Sequence, residues 1–247
     1  IAITPITQAN ELANFIAQPA NYIDNTTTYM FYDSSFVLNY IPTDMFNHMT
    51  YIHNFNTYNS SISTIVSNAF VNCENLRYLM MSYELFTHLP ASFAEQCYNV
   101  NHLKIDFSNL QTIDENAFKG MVGLRSIFFP NNYIECLPPL LFQHTTMLVQ
   151  IELPNNKIKA LHPIIFKSLA QPNAFYSFNF KMNQITYIPD LDLGTSSWNQ
   201  NALNLMLQDN PINAINPLFL THLFNNFDME SHSIQISLGS EALQIQT

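Results

Sequence analysis

Leu124-Arg125-Ser126-Ile127-Phe128-Phe129-Pro130-Asn131-Asn132-Tyr133-Ile134 is the stretch on which the fold turns. Its apolar residues fall at the first, fourth, sixth and eleventh slots, and Asn132 holds the ninth. The frame recurs every 24 residues, as Leu76-Arg77-Tyr78-Leu79-Met80-Met81, Val100-Asn101-His102-Leu103-Lys104-Ile105 and Leu148-Val149-Gln150-Ile151-Glu152-Leu153. The ninth-slot Asn returns as Asn156, Asn183 and Asn210, each followed two places on by Ile158, Ile185 or Ile212. A Phe near the nineteenth slot closes the frame, in the series Phe46, Phe70, Phe93, Phe118, Phe142, Phe166 and Phe219. A fixed period of this length marks a repeat architecture.

A single copy has one apolar side of a short strand and a Phe on its return path, so it cannot bury its own core. Stacked copies can. Strand alternation then points the fourth and sixth slots inward and the third, fifth and seventh outward. An Asn at the ninth slot has both donors and an acceptor for turn backbone, in register with the neighbouring rung.

The pattern L-x-x-L-x-L-x-x-N-x-L with a trailing Phe resembles the leucine-rich-repeat family, in its 24-residue, Phe-bearing class common in extracellular proteins. Pro130 and Pro154 just after the strand, and the phrase Ala69-Phe70-Val71-Asn72-Cys73, also resemble the BspA-type repeats of microbial surface proteins. The resemblance covers residues 28–223. It implies an α/β solenoid: a horseshoe with a parallel concave sheet of about eight rungs and mostly irregular convex returns. It also implies a binding role for the concave face.

Two irregularities interrupt the frame. The copy around Phe175-Phe178-Phe180 starts about three residues late, and Leu191–Asn201, which holds Gly194 and Trp198, should bulge from the convex side. Near the start, Tyr29–Asp33 fits the strand template poorly. The ends of a solenoid need covers, so residues 1–27 are expected to form an N-terminal cap, with a helix over Asn10–Ala20 stopped by Pro19. Residues 224–247 are expected to cap the other end. Leu218–Phe227 reads as helical, and Ser233–Leu238 alternates like a last strand.

Net charge is −10, the pI is near 5.0, and only eight Lys and Arg are spread over 247 residues. That balance argues against a nucleic-acid partner, which needs clustered cations. About one residue in eight is Asn, so surface polarity comes chiefly from amides and hydroxyls. No apolar run approaches the roughly 18 residues of a spanning helix, and no transmembrane segment is expected. The His residues form no His-x-x-x-His or His-Glu-x-x-His spacing, and there is no Gly-x-Ser-x-Gly elbow or phosphate loop. No catalytic residue, metal site or cofactor is therefore expected.

The outward slots, read as the second, third and fifth of each copy, run from Tyr29, Met30 and Tyr32 through Arg77, Tyr78 and Met80 to Tyr176 and Ser177, then Leu203 and Asn204. Tyr32, Tyr78, Met80 and Phe128 put aromatic and Met side chains in neighbouring columns, with Tyr83 and Phe107 at the strand ends. Such residues are enriched at interface hot spots. His102, Lys104 and Glu152 complete the expected ligand-binding set, and His102, Lys104 and Asp106 share a strand face as solvated contacts. Asn25 and Asn59 open Asn-X-Ser/Thr sequons, compatible with secretion and a glycan.

Cys73 and Cys97 occupy the same slot of consecutive copies, about 4.7–4.9 Å apart if the rungs stack like strands. That admits a disulfide, although buried thiols filling an inward slot are the favoured reading. Cys136 falls in a turn and should be partly exposed. The functional expectation is a non-enzymatic recognition protein, secreted or on a cell surface, that binds a protein or other macromolecule. The alternative is a structural or scaffold component of a larger assembly.

Overall fold

The computed structural model describes residues 28–32, 38–43, 45–48, 52–169, 174–192, 202–226 and 234–238. The expected N-terminal capping helix, Asn25 and most of the Leu191–Asn201 loop lie outside them. The strands are β1 (Thr28–Tyr32), β2 (Asn54–Tyr58), β3 (Tyr78–Ser82), β4 (His88–Leu89), β5 (His102–Asp106), β6 (Thr112–Ile113) and β7 (Ser126–Phe128). They continue with β8 (Gln150–Glu152), β9 (Phe175–Asn179), β10 (Tyr187–Ile188), β11 (Ala202–Met206), β12 (Ala214–Ile215) and β13 (Ile234–Ser237). Among the described residues one 3-10 turn, Met45–His48, and one helix, α1 (Pro217–Asn226), complete the set.

Nine strands form one sheet in the order β1-β2-β3-β5-β7-β8-β9-β11-β13, and every pairing within it is parallel. Eight of these are rungs of the repeat. The ninth, β13, adds a strand beyond the last rung, as the alternation over Ser233–Leu238 suggests. The pairs β4–β6 and β10–β12 lie on the return segments. From Asn54↔Tyr78 to Ser126↔Gln150 the register advances by 24 residues per rung. It advances by 27 where Gln150 meets Ser177 and where Phe175 meets Ala202, which accounts for the late copy.

The core follows from the period. Fourth- and sixth-slot side chains such as Leu79 and Met81, Leu103 and Ile105, Ile127 and Phe129, and Phe178 and Phe180 are buried. The nineteenth-slot Phe residues are buried too, and they touch from rung to rung: Phe46 and Phe70 have centroids 5.5 Å apart, Phe70 and Phe93 6.0 Å, and Phe118 and Phe142 6.2 Å. This spine closes the space between sheet and returns.

The ninth-slot Asn residues build the expected ladder. Asn156 Oδ1 accepts from Ile134 N at 3.1 Å, while its Nδ2 donates to the Phe129 and Leu153 carbonyls at 2.9 and 3.1 Å. Asn132, Asn183 and Asn210 repeat the scheme one or more rungs away. Each such amide satisfies buried backbone groups of two rungs at once. In the earlier copies Ser60, Glu84 and Ser108 occupy this slot, and Glu84 takes over its acceptor function. It is buried, and its carboxylate accepts from Ser60 N at 3.2 Å and Ile62 N at 2.9 Å. Burial raises its pKa, against the lowering effect of those hydrogen bonds.

Cys73 and Cys97 are joined in a disulfide, with Cα atoms 4.9 Å apart. This corrects the expectation of buried thiols. Both residues open equivalent turns, in which Leu76 N reaches Cys73 O and Val100 N reaches Cys97 O. Identical turns stacked in register present their Cβ atoms alike, at a separation a disulfide spans. Cys136 is free and exposed, as expected.

Candidate binding face

The concave sheet sorts the expected residues into two rows. Tyr78 pairs in register with His102, and their rings stack at 4.8 Å with 9° between planes. Beside them Met80, Lys104, Phe128 and Glu152 succeed one another across β3, β5, β7 and β8. All four are half-buried, and Tyr78 is exposed. Six of the seven expected ligand-binding residues thus share one contiguous area.

Charge on this area is balanced in place. Lys104 Nζ lies 2.8 Å from Asp106 Oδ2, and Ser82 Oγ donates to the other Asp106 oxygen. Glu152 accepts from Gln150 Nε2 at 3.2 Å and Asn179 Nδ2 at 2.8 Å. His102 belongs to the Tyr78 stack rather than to the Lys104–Asp106 pair, and burial holds its pKa below the ordinary imidazole value. The outcome is an aromatic and thioether centre with a polar margin, in which Lys104 and Glu152 are partnered in place and the exposed Arg77 and Arg125 lie alongside. Among the described residues no group of three or more His, Cys, Asp or Glu could hold a metal ion.

Some outward assignments change. Tyr176 and Leu203, read as outward second-slot residues, are buried. In β9 and β11 the strand starts at the first slot, so alternation turns the second slot inward, and Phe175 in the first slot is 57% exposed instead. Earlier rungs begin their strands at the third slot, and their first-slot residues, Leu76, Val100, Leu124 and Leu148, are core. Tyr32 also moves. Its backbone pairs with Tyr58, a seventh-slot residue, and Tyr29 pairs with the inward Phe55, so β1 sits two slots away from the assumed register.

A second surface lies where the chain leaves the strands. At the eighth slot Asn59, Tyr83, Phe107, Asn131, Asn155, Met182 and Asp209 all have positive φ. Asn and Asp tolerate this conformation, whereas a bulky side chain there costs about 1–2 kcal/mol. Tyr83 and Phe107 adopt it while 41% and 48% exposed. Their rings stack at 5.0 Å, and Tyr58 continues the ladder at 4.9 Å from Tyr83. Beyond Phe107, Asn155 Nδ2 donates to Asn131 Oδ1 at 2.6 Å, and Lys157 Nζ lies 4.7 Å above the Tyr133 ring. From the sequence Tyr83 and Phe107 are legible only as strand ends, and Tyr133 and Lys157 do not stand out. The signal was available in the eighth and tenth slots, which alternation along the strand does not reach.

This architecture defines a leucine-rich-repeat solenoid. Within that class the chain belongs to the BspA-type leucine-rich-repeat family, whose model, in six copies, matches residues 20–135 and 87–191. No curated protein matches the chain. Among solved structures it is similar to Drosophila Toll in its complex with Spatzle, with 19% identity, a TM-score of 0.59, and 83% of this chain and 32% of that one covered. TLR13 in complex with ssRNA13 aligns at 16% identity and a TM-score of 0.57, over 83% of this chain and 24% of that one. Human 5T4, the Wnt-activated inhibitory factor, aligns at 14% identity and 0.56, over 82% and 74%. The chain therefore spans a quarter to a third of the length of the Toll and TLR13 chains. These likenesses are of fold.

Proposed function

We propose that this is a non-enzymatic recognition protein of the cell surface or extracellular space, and that the concave face across β3, β5, β7 and β8 binds a protein partner. The observation that carries the reading is the continuous area formed by the Tyr78–His102 stack and the Met80-Lys104-Phe128-Glu152 row. Aromatic and Met anchors inside a polar margin are the usual composition of a protein-binding hot spot. Its cations are too few, and Lys104 too well neutralised, for a polyanion. Toll, a similar solenoid, is seen in a complex with Spatzle, and TLR13, equally similar in fold, in one with ssRNA13; the scarcity of cations here favours the first kind of partner.

Three features favour an oxidising compartment: the Cys73–Cys97 bond, which persists where thiols are not kept reduced, and the sequons at Asn25 and Asn59. Asn59 is exposed beside Tyr58, so a glycan there would stand at the strand-end flank and leave the rows centred on Phe128 open.

The test compares capture of partners from a cell-surface protein extract by the native chain, by a Tyr78→Ala/Phe128→Ala variant, and by a Tyr98→Ala/Val122→Ala variant, whose two residues are exposed on the convex returns. The expected result is a protein retained by the native and convex variants and lost by the concave one. Retention by the concave variant would overturn the assignment, and loss by the convex variant would favour a scaffold role instead.

A further inference from the structure

Phe107 and Tyr133 border a shallow depression on the strand-end flank, outside the concave rows, together with Asn109, Asn131, Asn155 and Lys157. Tyr83 covers one face of Phe107, and Lys157 covers one face of Tyr133. The remaining ring surface, on side chains 48% and 45% exposed, is what borders the depression. The amides between them have spare capacity. Asn131 Nδ2 and Asn155 Oδ1 are left over from the bond between those two residues, and among the described residues the Asn109 side chain has no partner.

We propose that this depression binds a neutral, hydroxyl-rich carbohydrate. Three observations select that chemistry. No carboxylate lines the depression, and Glu135 in the adjoining hollow that shares Asn109, Tyr133 and Lys157 is already paired with Lys159 at 2.7 Å, which leaves little to hold a cation; Lys157 is a single ammonium engaged with a ring, too little for a polyanion. The rings are flat, exposed borders rather than the walls of an enclosed apolar hole, so they suit the C–H face of a sugar ring better than an inserted hydrophobic side chain. An Asn side chain carries an acceptor and two donors at a fixed spacing, which matches adjacent sugar hydroxyls.

The backbone gives an independent reason. The fold requires a left-handed residue at this slot in every described copy, and Asn fills it at positions 59, 131 and 155 without strain. Tyr83 and Phe107 take the same conformation at a conformational cost, as Met182 does, and still leave 41% and 48% of their surface exposed. Their aromatic character therefore serves the surface rather than the fold.

The experiment titrates cellohexaose, mannohexaose and chitohexaose, each to millimolar concentration, into the full chain and follows amide chemical shifts. Phe107→Asn is the main variant, because Asn is the residue this slot accepts most readily, and its thermal midpoint should equal or exceed the native one. The expected result is saturable binding of at least one of these sugars, with shifts centred on Asn109, Asn131 and Tyr133. Affinity should fall about tenfold in Phe107→Asn and in Tyr133→Ala, and should be unchanged in Tyr78→Ala. The proposal is overturned if none of the three binds, if binding survives Phe107→Asn, or if the site responds only to a sulfated polysaccharide or only to peptides. Failure here leaves the concave assignment untouched, since the two surfaces share no residue.

Discussion

Tyr78 and His102 lie face to face across β3 and β5, ring centroids 4.8 Å apart, and the His102 imidazole is the more enclosed of the two. Burial disfavours its charged form. Its folded pKa is therefore below the unfolded value of about 6.5. The stability His102 contributes is present above about pH 6.5 and is lost as pH falls through the lower folded pKa. The His102 ring protons should accordingly titrate below about 6.5 by NMR, and Tyr78→Ala, which opens the imidazole to water, should move the midpoint upward. A native midpoint above the unfolded value would contradict this account.

Glu84 gives the opposite dependence. Its pKa is raised by burial, so its favourable contribution is complete below the unfolded carboxyl value and is lost as pH rises through the folded one. Glu84→Gln removes the buried charge and its pH dependence but keeps one acceptor where Oε1 and Oε2 serve Ser60 N and Ile62 N separately, so it should lose roughly 1–3 kcal/mol for the one N–H left unpaired. Glu84→Ala removes the acceptor, and should cost roughly 1–3 kcal/mol for each N–H left unpaired. Urea unfolding at two pH values separates the three.

Asn156→Ala should sever the ladder between two rungs. It leaves Ile134 N unsatisfied, at roughly 1–3 kcal/mol, whereas the Phe129 and Leu153 carbonyls keep the Asn132 and Asn183 amides as donors. Hydrogen exchange should quicken at Ile134 above all. Unchanged protection there would mean the amide is dispensable.

Alkylation without reductant should modify Cys136 alone, because Cys73 and Cys97 are bonded. Replacing both by Ser should lower stability by about 3 kcal/mol, the chain-entropy value for a loop of this length. Three alkyl groups on the folded, unreduced protein would refute the bond.

The fold was legible because a solenoid repeats one local solution, and Leu124 to Ile134 displays all of it but the closing Phe. Asn132, Asn156, Asn183 and Asn210 could be read directly as a ladder, since one residue type keeps one slot. Glu84 could not, because a carboxylate that replaces an amide breaks the visible pattern while preserving the acceptor. The rows holding Met80, Lys104, Phe128 and Glu152 followed from alternation within the strand. Alternation also holds where β9 and β11 lengthen to the first slot, and there it turns Tyr176 and Leu203 inward, against the outward reading of the second slot. It has nothing to say beyond the strand, where Tyr133 and Lys157 meet through stacking of turns. The Cys pair was placed correctly, but slot equivalence alone does not reveal how two Cβ atoms are aimed.

The bond between Cys73 and Cys97 also changes how the molecule responds to force. A load applied at the two ends of a solenoid peels its rungs apart, and each released residue lengthens the chain by up to about 3.6 Å. The 24-residue span closed by the disulfide cannot be drawn out. The fully extended chain is therefore shorter by roughly 80 Å, a length that returns when reductant is added. One turn of the stack is a covalent ring, and its ends stay joined while the other rungs give way.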